Sequence, residues 1–488
     1  MRAGAVSTLG RVAALACFVM VCAGCSPTPA TAPAKTLSDL VVVQLPIAQS
    51  VVDPAQRLDL DARYPLGSRV IRVRPGSSAD DWTVLSRGFA TAGAPAVSPD
   101  GSRVMFAGRR TADARWGVYE CSALGSKPRK VIVLDRDCGD PAYLTADRWV
   151  VVCAVDGQDV ATISGSRREL FTATRSRSNV ERITFGVGSA SDPSRLGDGR
   201  ILFSMKQGLQ AALFTVNPDG SMIEPFFGSH QFGSIRSRPR ATTDGGVVFI
   251  ATDPDGNTRL ERVETRRPLA TARTLVFDAG SEQRLADLRS AEPMVDGGLL
   301  LTGRMRSGTG SARTSAVFRT VPGVQALQPV FDDPAWDEVE AVALSIVEPP
   351  RGKPSGRRTD LTSGKLILYD ANRSDGVVGP SPGTPRAVEL VVQAFSEGRP
   401  QTLGVVPLEA DGSLFAEVPP DRPIRVRSVD ANGAEISTSA WFWVRPGETR
   451  ACFGCHESRE SAPVNRRVLS TTRPPISLVE TTVEVARR

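Results

Sequence analysis

Residues 94–107 read APAVSPDGSRVMFA: a proline, a turn at Asp100-Gly101, then an unbroken apolar run from Val104 to Ala107. The same order returns in DPAYLTADRWVVVC (Asp140 to Cys153), DPSRLGDGRILFS (Asp192 to Ser204), RPRATTDGGVVFIA (Arg238 to Ala251) and EPMVDGGLLLTG (Glu292 to Gly303). The turn aspartates Asp100, Asp147, Asp198, Asp244 and Asp296 are 47, 51, 46 and 52 residues apart. A period of that size marks a repeat architecture. Asp-Gly supplies the positive φ of a tight hairpin turn, and the run after it predicts a buried inner strand. A second run follows in most units: Trp116 to Glu120, Ala212 to Val216, Ser315 to Arg319. Helical patterning is nearly absent. About four strands per repeat describe propeller blades.

The expected fold is therefore all-β. A β-propeller of about six or seven blades spans residues 38–375. Gly364 to Tyr369 (GKLILY) is a candidate strand of a further blade, which Leu40 to Arg74 would complete. Two Pro/Gly-rich stretches, Glu348 to Arg358 and Gly376 to Pro385, then break the pattern. Beyond them come the short runs Val388 to Phe395, Gln401 to Pro407, Leu414 to Val418, Ile424 to Val429 and Ala440 to Val444, with turns at Asp411-Gly412 and Asn432-Gly433. They predict a small β-sandwich-like module over 386–449. The segment 450–488 is read as a CxxCH haem-binding segment and a mostly irregular tail. In it Ser477 to Ala486 alternates apolar and polar residues, as a returning strand would.

The first 25 residues read as a lipoprotein signal peptide. Arg2 and Arg11 precede the short apolar run Val12 to Val21, and Cys22-Ala23-Gly24-Cys25 closes it. Ten apolar residues suit a signal core and are too few to span a bilayer. Cys25 is the expected lipidation site, Cys22 standing where such boxes usually have Leu; cleavage as an ordinary signal peptide is the alternative. Residues 26–37, rich in Pro, Ala and Thr, predict a flexible tether. The expected location is the periplasmic side of the envelope, at the outer membrane, with membrane contact through the lipid anchor. The net charge of +6 comes from scattered residues, almost all Arg, so no basic stripe points to nucleic acid. Export permits disulfides, but Cys121, Cys138 and Cys153 are three, and the sequence does not say which two pair.

Cys452-Phe453-Gly454-Cys455-His456 is the chain's CxxCH. Two thiols at i and i+3 reach the two vinyl groups of one haem, and the adjacent His sits under the iron. The expectation is one covalent haem c on Cys452 and Cys455, with His456 as axial ligand. A zinc site and a disulfide are the alternatives; the other CxxC, Cys22 to Cys25, lies in the signal segment, and no HxxxH accompanies the motif. No His or Met follows His456 in the remaining 32 residues, so the haem must lean on the module or the propeller. His230, within Phe226 to Phe232 (FFGSHQF), is a weak candidate distal ligand, and methionines such as Met105 and Met205 lie far upstream. An open or weakly held sixth position is expected. Asp137, Asp140 and Asp192 are read as turn formers first and as metal ligands only weakly. Two histidines and no G-x-S-x-G elbow argue against Ser-His-Asp hydrolysis.

Several stretches resemble the hydrazine synthase alpha subunit middle-domain family. They are VSPDGSRVMFAGRR with WGVYE after it, DPSRLGDGRILFS with LFTVNPDGS, SGKLILYDANRSDG, and the closing EADGSLFAEVPPDRPIRVRSVDANGAEI and WFWVRPGETRACFGCHESRESAP. Glu409 to Pro463 is the most specific run. The resemblance implies an exported multi-domain haem protein, with a propeller and haem held by Cys452 and Cys455. It supports His456 less firmly, because the hydrazine-forming enzyme uses atypical haem ligation. This sequence departs from that enzyme in its single CxxCH and in having no Tyr after Cys455, so hydrazine synthesis is not expected of it. The inner blades also resemble TolB-type propellers. The expected function is redox, either electron transfer or small-molecule haem chemistry, with the redox partner or substrate unidentified. The alternative is a partner-binding propeller scaffold with a structural or sensory haem.

Overall fold

In four of the five repeats the proline has a definite place. In the computed structural model, Ala94, Asp140, Asp192 and Arg238, each just before a proline, have φ between +44° and +52°. At each of them the strand register shifts, between Gly93 and Ala96, Gly139 and Ala142, Ser191 and Ser194, and Ser237 and Arg240. These are β-bulges, where a residue without an N–H costs the ladder nothing. The structure describes residues 37–47, 58–76, 82–155, 167–176, 180–229, 231, 233–277, 283–307, 310–311, 314–350, 352–373, 384–394, 399–454 and 465–479.

Six blades of four strands each are found among the described residues, the fifth with the short extra strand Gly310–Ser311. The first five follow chain order: Thr91–Val97 to Arg129–Lys130, Cys138–Tyr143 to Glu181–Arg182, Ser189–Arg195 to Glu224–Phe227, Ile235–Ala241 to Arg273–Leu275, and Gln283–Pro293 to Val324–Phe331. The sixth is composite. Trp336–Ala343 pairs antiparallel with Leu40–Pro46, which continues through Arg69–Val73 to Trp82–Val84. The first strands of successive blades touch one another in a closed ring, the last reaching back to the first. Ring closure thus comes from one strand late in the chain completing three early ones.

The bulged, proline-bearing strand is the innermost one of its blade. The apolar run after the Asp-Gly turn is the second strand, buried inside the blade as the pattern predicts. Val104 to Ala107, Trp149 to Val152 and Val247 to Ala251 are buried there, because both faces of a blade pack on neighbouring blades. Cys138 and Cys153 face each other across such a pair and form a disulfide, while Cys121 is a buried free thiol.

Gly364–Leu368 is not a blade strand. It pairs with Leu414–Val418 and runs parallel to Thr449–Cys452, and Ile476–Ser477 completes that sheet. Arg399–Pro407, Ala387–Ala394, Ile424–Val429 and Glu435–Thr438 form the second sheet. The last blade strand ends at Ala343, so residues 364–373, expected in the propeller, belong to this β-sandwich. Leu366 and Leu368 decide the matter: both are buried in the cluster that joins the two sheets. The sandwich shares that apolar cluster with the second and third blades, through Phe185, Phe203 and Phe214 on one side and Val388, Leu390, Leu414 and Trp443 on the other.

Candidate functional site

The approach to the CxxCH motif is fixed residue by residue. Along Trp441-Phe442-Trp443-Val444-Arg445, Phe442 bridges Ile424 and the Trp443 indole N–H donates to the Gly220 carbonyl at 2.9 Å. Arg445 is buried; it donates to Asp421 at 2.8 Å and pairs with Glu181 of the second blade. Glu448 accepts from the backbone N–H groups of Arg445 (2.7 Å) and Met222 (2.9 Å). Burial pushes the Glu448 carboxyl up, and those two N–H bonds pull it back in part. Gly447 turns the chain at φ +76°, where a Cβ would collide with Arg358.

Thr449–Cys452 then runs parallel to Gly364–Leu368, with Arg450 beside Leu366 and Cys452 beside Leu368. The Tyr369 N–H donates to the Cys452 carbonyl at 2.8 Å, and the Phe453 ring sits edge-on to Tyr369 at 5.4 Å. A Cβ on Gly454 would lie 2.6 Å from the Arg373 carbonyl oxygen, so the second residue between the cysteines has room only for glycine.

Alternation along a strand places Arg450 and Cys452 on one face. Both are half-buried, whereas Thr449 and Ala451 are exposed. That face closes a cavity of about 160 Å³. Its walls include Leu366, Leu368, Leu414, Val426 and Phe442 of the sandwich and Phe214 of the third blade. The Arg450 guanidinium lies 5.0 Å from the centre of the Phe442 ring, and its Nη1 is buried without a hydrogen-bond partner among the described residues.

A haem would find a suitable set of residues here. The walls are apolar, one attachment thiol opens onto them, and a cation with an unmet hydrogen-bonding atom stands on the same strand face. The cavity is smaller than the roughly 300 Å³ at which pockets enclose a drug-sized ligand. Only an edge of a macrocycle would fit in it.

Of the residues singled out in the sequence, Cys452 is placed as above. Cys455, His456, His230 and Cys25 lie outside the described residues. Met105 and Met205 are both buried in apolar clusters of the blades. Asp140 and Asp192 are not turn formers. They occupy the innermost-strand bulges, and Arg63 pairs with both, at 2.6 Å to Asp192. Asp137 accepts from the Trp116 N–H at 2.7 Å. Among the described residues no group of three His, Cys, Asp or Glu side chains could hold a metal ion.

The bulges instead build a buried charge network that the sequence reading missed. Leu60–Arg63 is a four-residue helix capped by Asp59, laid against the inner strands. Cβ atoms at Gly93 and Gly139 would strike Tyr64 and Leu60, at 2.2 and 2.4 Å. Tyr64 and Arg238 both bond to Glu340 of the composite blade, and Arg240 pairs with Glu292 at 2.7 Å. Burial, together with the neighbouring Asp192, raises the Asp140 carboxyl despite Arg63. Burial acts on Asp192 too, but Arg63, Arg238 and Arg240 outweigh it and hold that carboxyl low. The signal was in the repeats: the residue before the repeat proline is charged in Asp140, Asp192, Arg238 and Glu292, where the first repeat has Ala94.

Comparison with known proteins agrees with the motifs. Hydrazine synthase subunit alpha of Kuenenia stuttgartiensis is 22% identical over 548 residues, covering 85% of this chain. The chain spans 66% of that relative's length. The solved Kuenenia stuttgartiensis hydrazine synthase superposes with a TM-score of 0.76 at 19% identity, over 89% of this chain and 71% of that one, which establishes a shared fold. TolB from Acinetobacter baumannii gives a TM-score of 0.34 at 14% identity, over 60% of this chain and 65% of its own, too low to carry an argument. Residues 382–457, from the start of the sandwich's second sheet through the CxxCH motif, match the family model of the hydrazine synthase alpha subunit middle domain, and the chain is related to that subunit at low identity.

Proposed function

We propose that this chain is an exported, lipid-anchored c-type haem protein with a redox role, either electron transfer or small-molecule chemistry at a single haem. One observation carries the reading. Cys452, the first cysteine of a CxxCH, is held at a strand end beside an apolar cavity whose polar wall includes an unpartnered arginine nitrogen. Cys452 and Cys455 are the attachment thiols and His456 the axial ligand. Such a group supplies a one-electron couple and an iron able to bind small ligands. The chain's own residues do the rest. Phe453 and Gly454 lock the motif against Tyr369 and Arg373, and Leu366, Leu368, Leu414 and Phe442 exclude water from one edge. An iron with an open or weakly held sixth position is part of this proposal.

The test is maturation in cells with active haem attachment, followed by denaturing electrophoresis and haem staining. A stained band is expected, lost in Cys452→Ala/Cys455→Ala. An unstained wild-type band would overturn the reading. Carbon monoxide added to the reduced protein separates the two roles. A prompt shift of the main absorption band indicates an open site, and an unchanged low-spin spectrum indicates a firmly held internal ligand and simple electron transfer.

A further inference from the structure

The cavity beside Cys452 has a charged end that haem attachment through cysteine does not use. Arg450 is two residues before Cys452 on the same strand face, and its Nη1 is buried with no hydrogen-bond partner among the described residues. The guanidinium rests on the Phe442 ring, 5.0 Å from its centre, which restricts its position. Glu448, the carboxylate two residues earlier, is already committed to the backbone N–H groups of Met222 and Arg445. Ser437 and Ser439 stand in the same wall. Ser439 is engaged with the backbone around Val426 and Ala440, and Ser437 with Ser428. Neither serine satisfies the arginine.

A buried guanidinium nitrogen left unpaired is costly, and the group that suits it is a carboxylate, which accepts two parallel N–H bonds. The other wall residues are largely apolar, so the complementary ligand has an apolar body with a carboxylate at its edge. We propose that Arg450 is the anion anchor of this cavity and holds a propionate of the haem attached at Cys452. This rests on the haem reading above and adds to it the residue that sets which edge of the macrocycle enters the cavity. Arg450 is a positioning residue in this scheme.

The test uses full-length protein produced without haem attachment, titrated with ferric protoporphyrin IX and, separately, with its dimethyl ester. Wild type, Arg450→Gln and Arg450→Lys are compared, each first checked for a wild-type thermal transition. Loss of a charge-assisted bond of about 1.5–3 kcal/mol predicts binding of the free acid weakened roughly tenfold or more in Arg450→Gln. Arg450→Lys should recover part of the loss, and the ester should bind all three proteins alike. Equal affinity of wild type and Arg450→Gln for the free acid overturns the anchor. So does an equal loss for acid and ester, which would mark a merely structural arginine. Haem staining of the matured proteins keeps the two ideas apart. Stain in wild type with no effect of Arg450→Gln on the titration defeats the anchor alone, whereas absence of stain in wild type defeats the haem reading and the anchor with it.

Discussion

Replacing Arg63 by Met tests whether the propeller's centre depends on its charge network. The side chains of Arg63, Asp140 and Asp192 are 4%, 2% and 5% exposed. Met keeps most of the volume and apolar stem but leaves two neighbouring buried carboxylates without their shared cation. Breaking a buried pair in this way costs about 3–5 kcal/mol. A propeller of about 300 residues has an unfolding entropy at which each kcal/mol moves the melting temperature by about 1.5 °C, so the expected drop is roughly 5–8 °C. The deficit should depend on pH. Without Arg63 the already raised Asp140 carboxyl loses its main counter-charge, while Asp192 keeps Arg238 and Arg240, so the folded form binds more protons at Asp140 and stability falls as pH rises above the ordinary carboxylate range. In wild type the two shifts oppose each other, Asp140 up and Asp192 down, which flattens the dependence. Scanning calorimetry at pH 5 and pH 8 should therefore show a larger Arg63→Met deficit at pH 8. The triple variant Arg63→Met/Asp140→Asn/Asp192→Asn should recover part of the loss, because no charge is then stranded. A melting temperature within about 1 °C of wild type at both values, or a triple variant no better than the single one, would refute the reasoning.

Two further outcomes follow from other residues. Glu338 is fully buried and accepts from the Gln44 amide at 2.8 Å. Burial pushes its carboxyl up to about 9. Its proton is therefore favoured in the fold, and the associated stability is lost as pH rises from the ordinary range through about 9. Glu338→Gln should remove that loss, and urea unfolding at pH 6 and pH 9 should show the variant gaining on wild type at the higher pH; parallel curves would contradict the assignment. At the N-terminus, labelled palmitate should enter wild type and not Cys25→Ala, and equal labelling would remove the lipid anchor.

Strand content, repeat period and the CxxCH motif were legible in the sequence because each is a local property. A turn needs Gly at positive φ, a strand buried on both faces needs an apolar run, and thioether attachment needs cysteines three apart. The resemblance of Glu409 to Pro463 to the hydrazine synthase alpha subunit middle-domain family was legible for a related reason: WFWVRPGETRAC fixes the approach to Cys452 through bonds that allow few substitutes, such as Arg445 on Asp421 and Gly447 beside Arg358. Tertiary structure decided what depends on partners distant in the chain. GKLILY carries the alternation of any half-buried strand, and only pairing with Leu414–Val418 and Thr449–Cys452 assigns it to the sandwich. Asp140 and Asp192 look like turn residues because Asp-Pro commonly starts turns. Only the ring of inner strands, closed by Trp336–Ala343 against Leu40–Pro46, brings Arg63 between them from 77 and 129 residues away. Sequence patterns record which face of an element is buried, and the identity of the group buried against it appears only when the chain has closed.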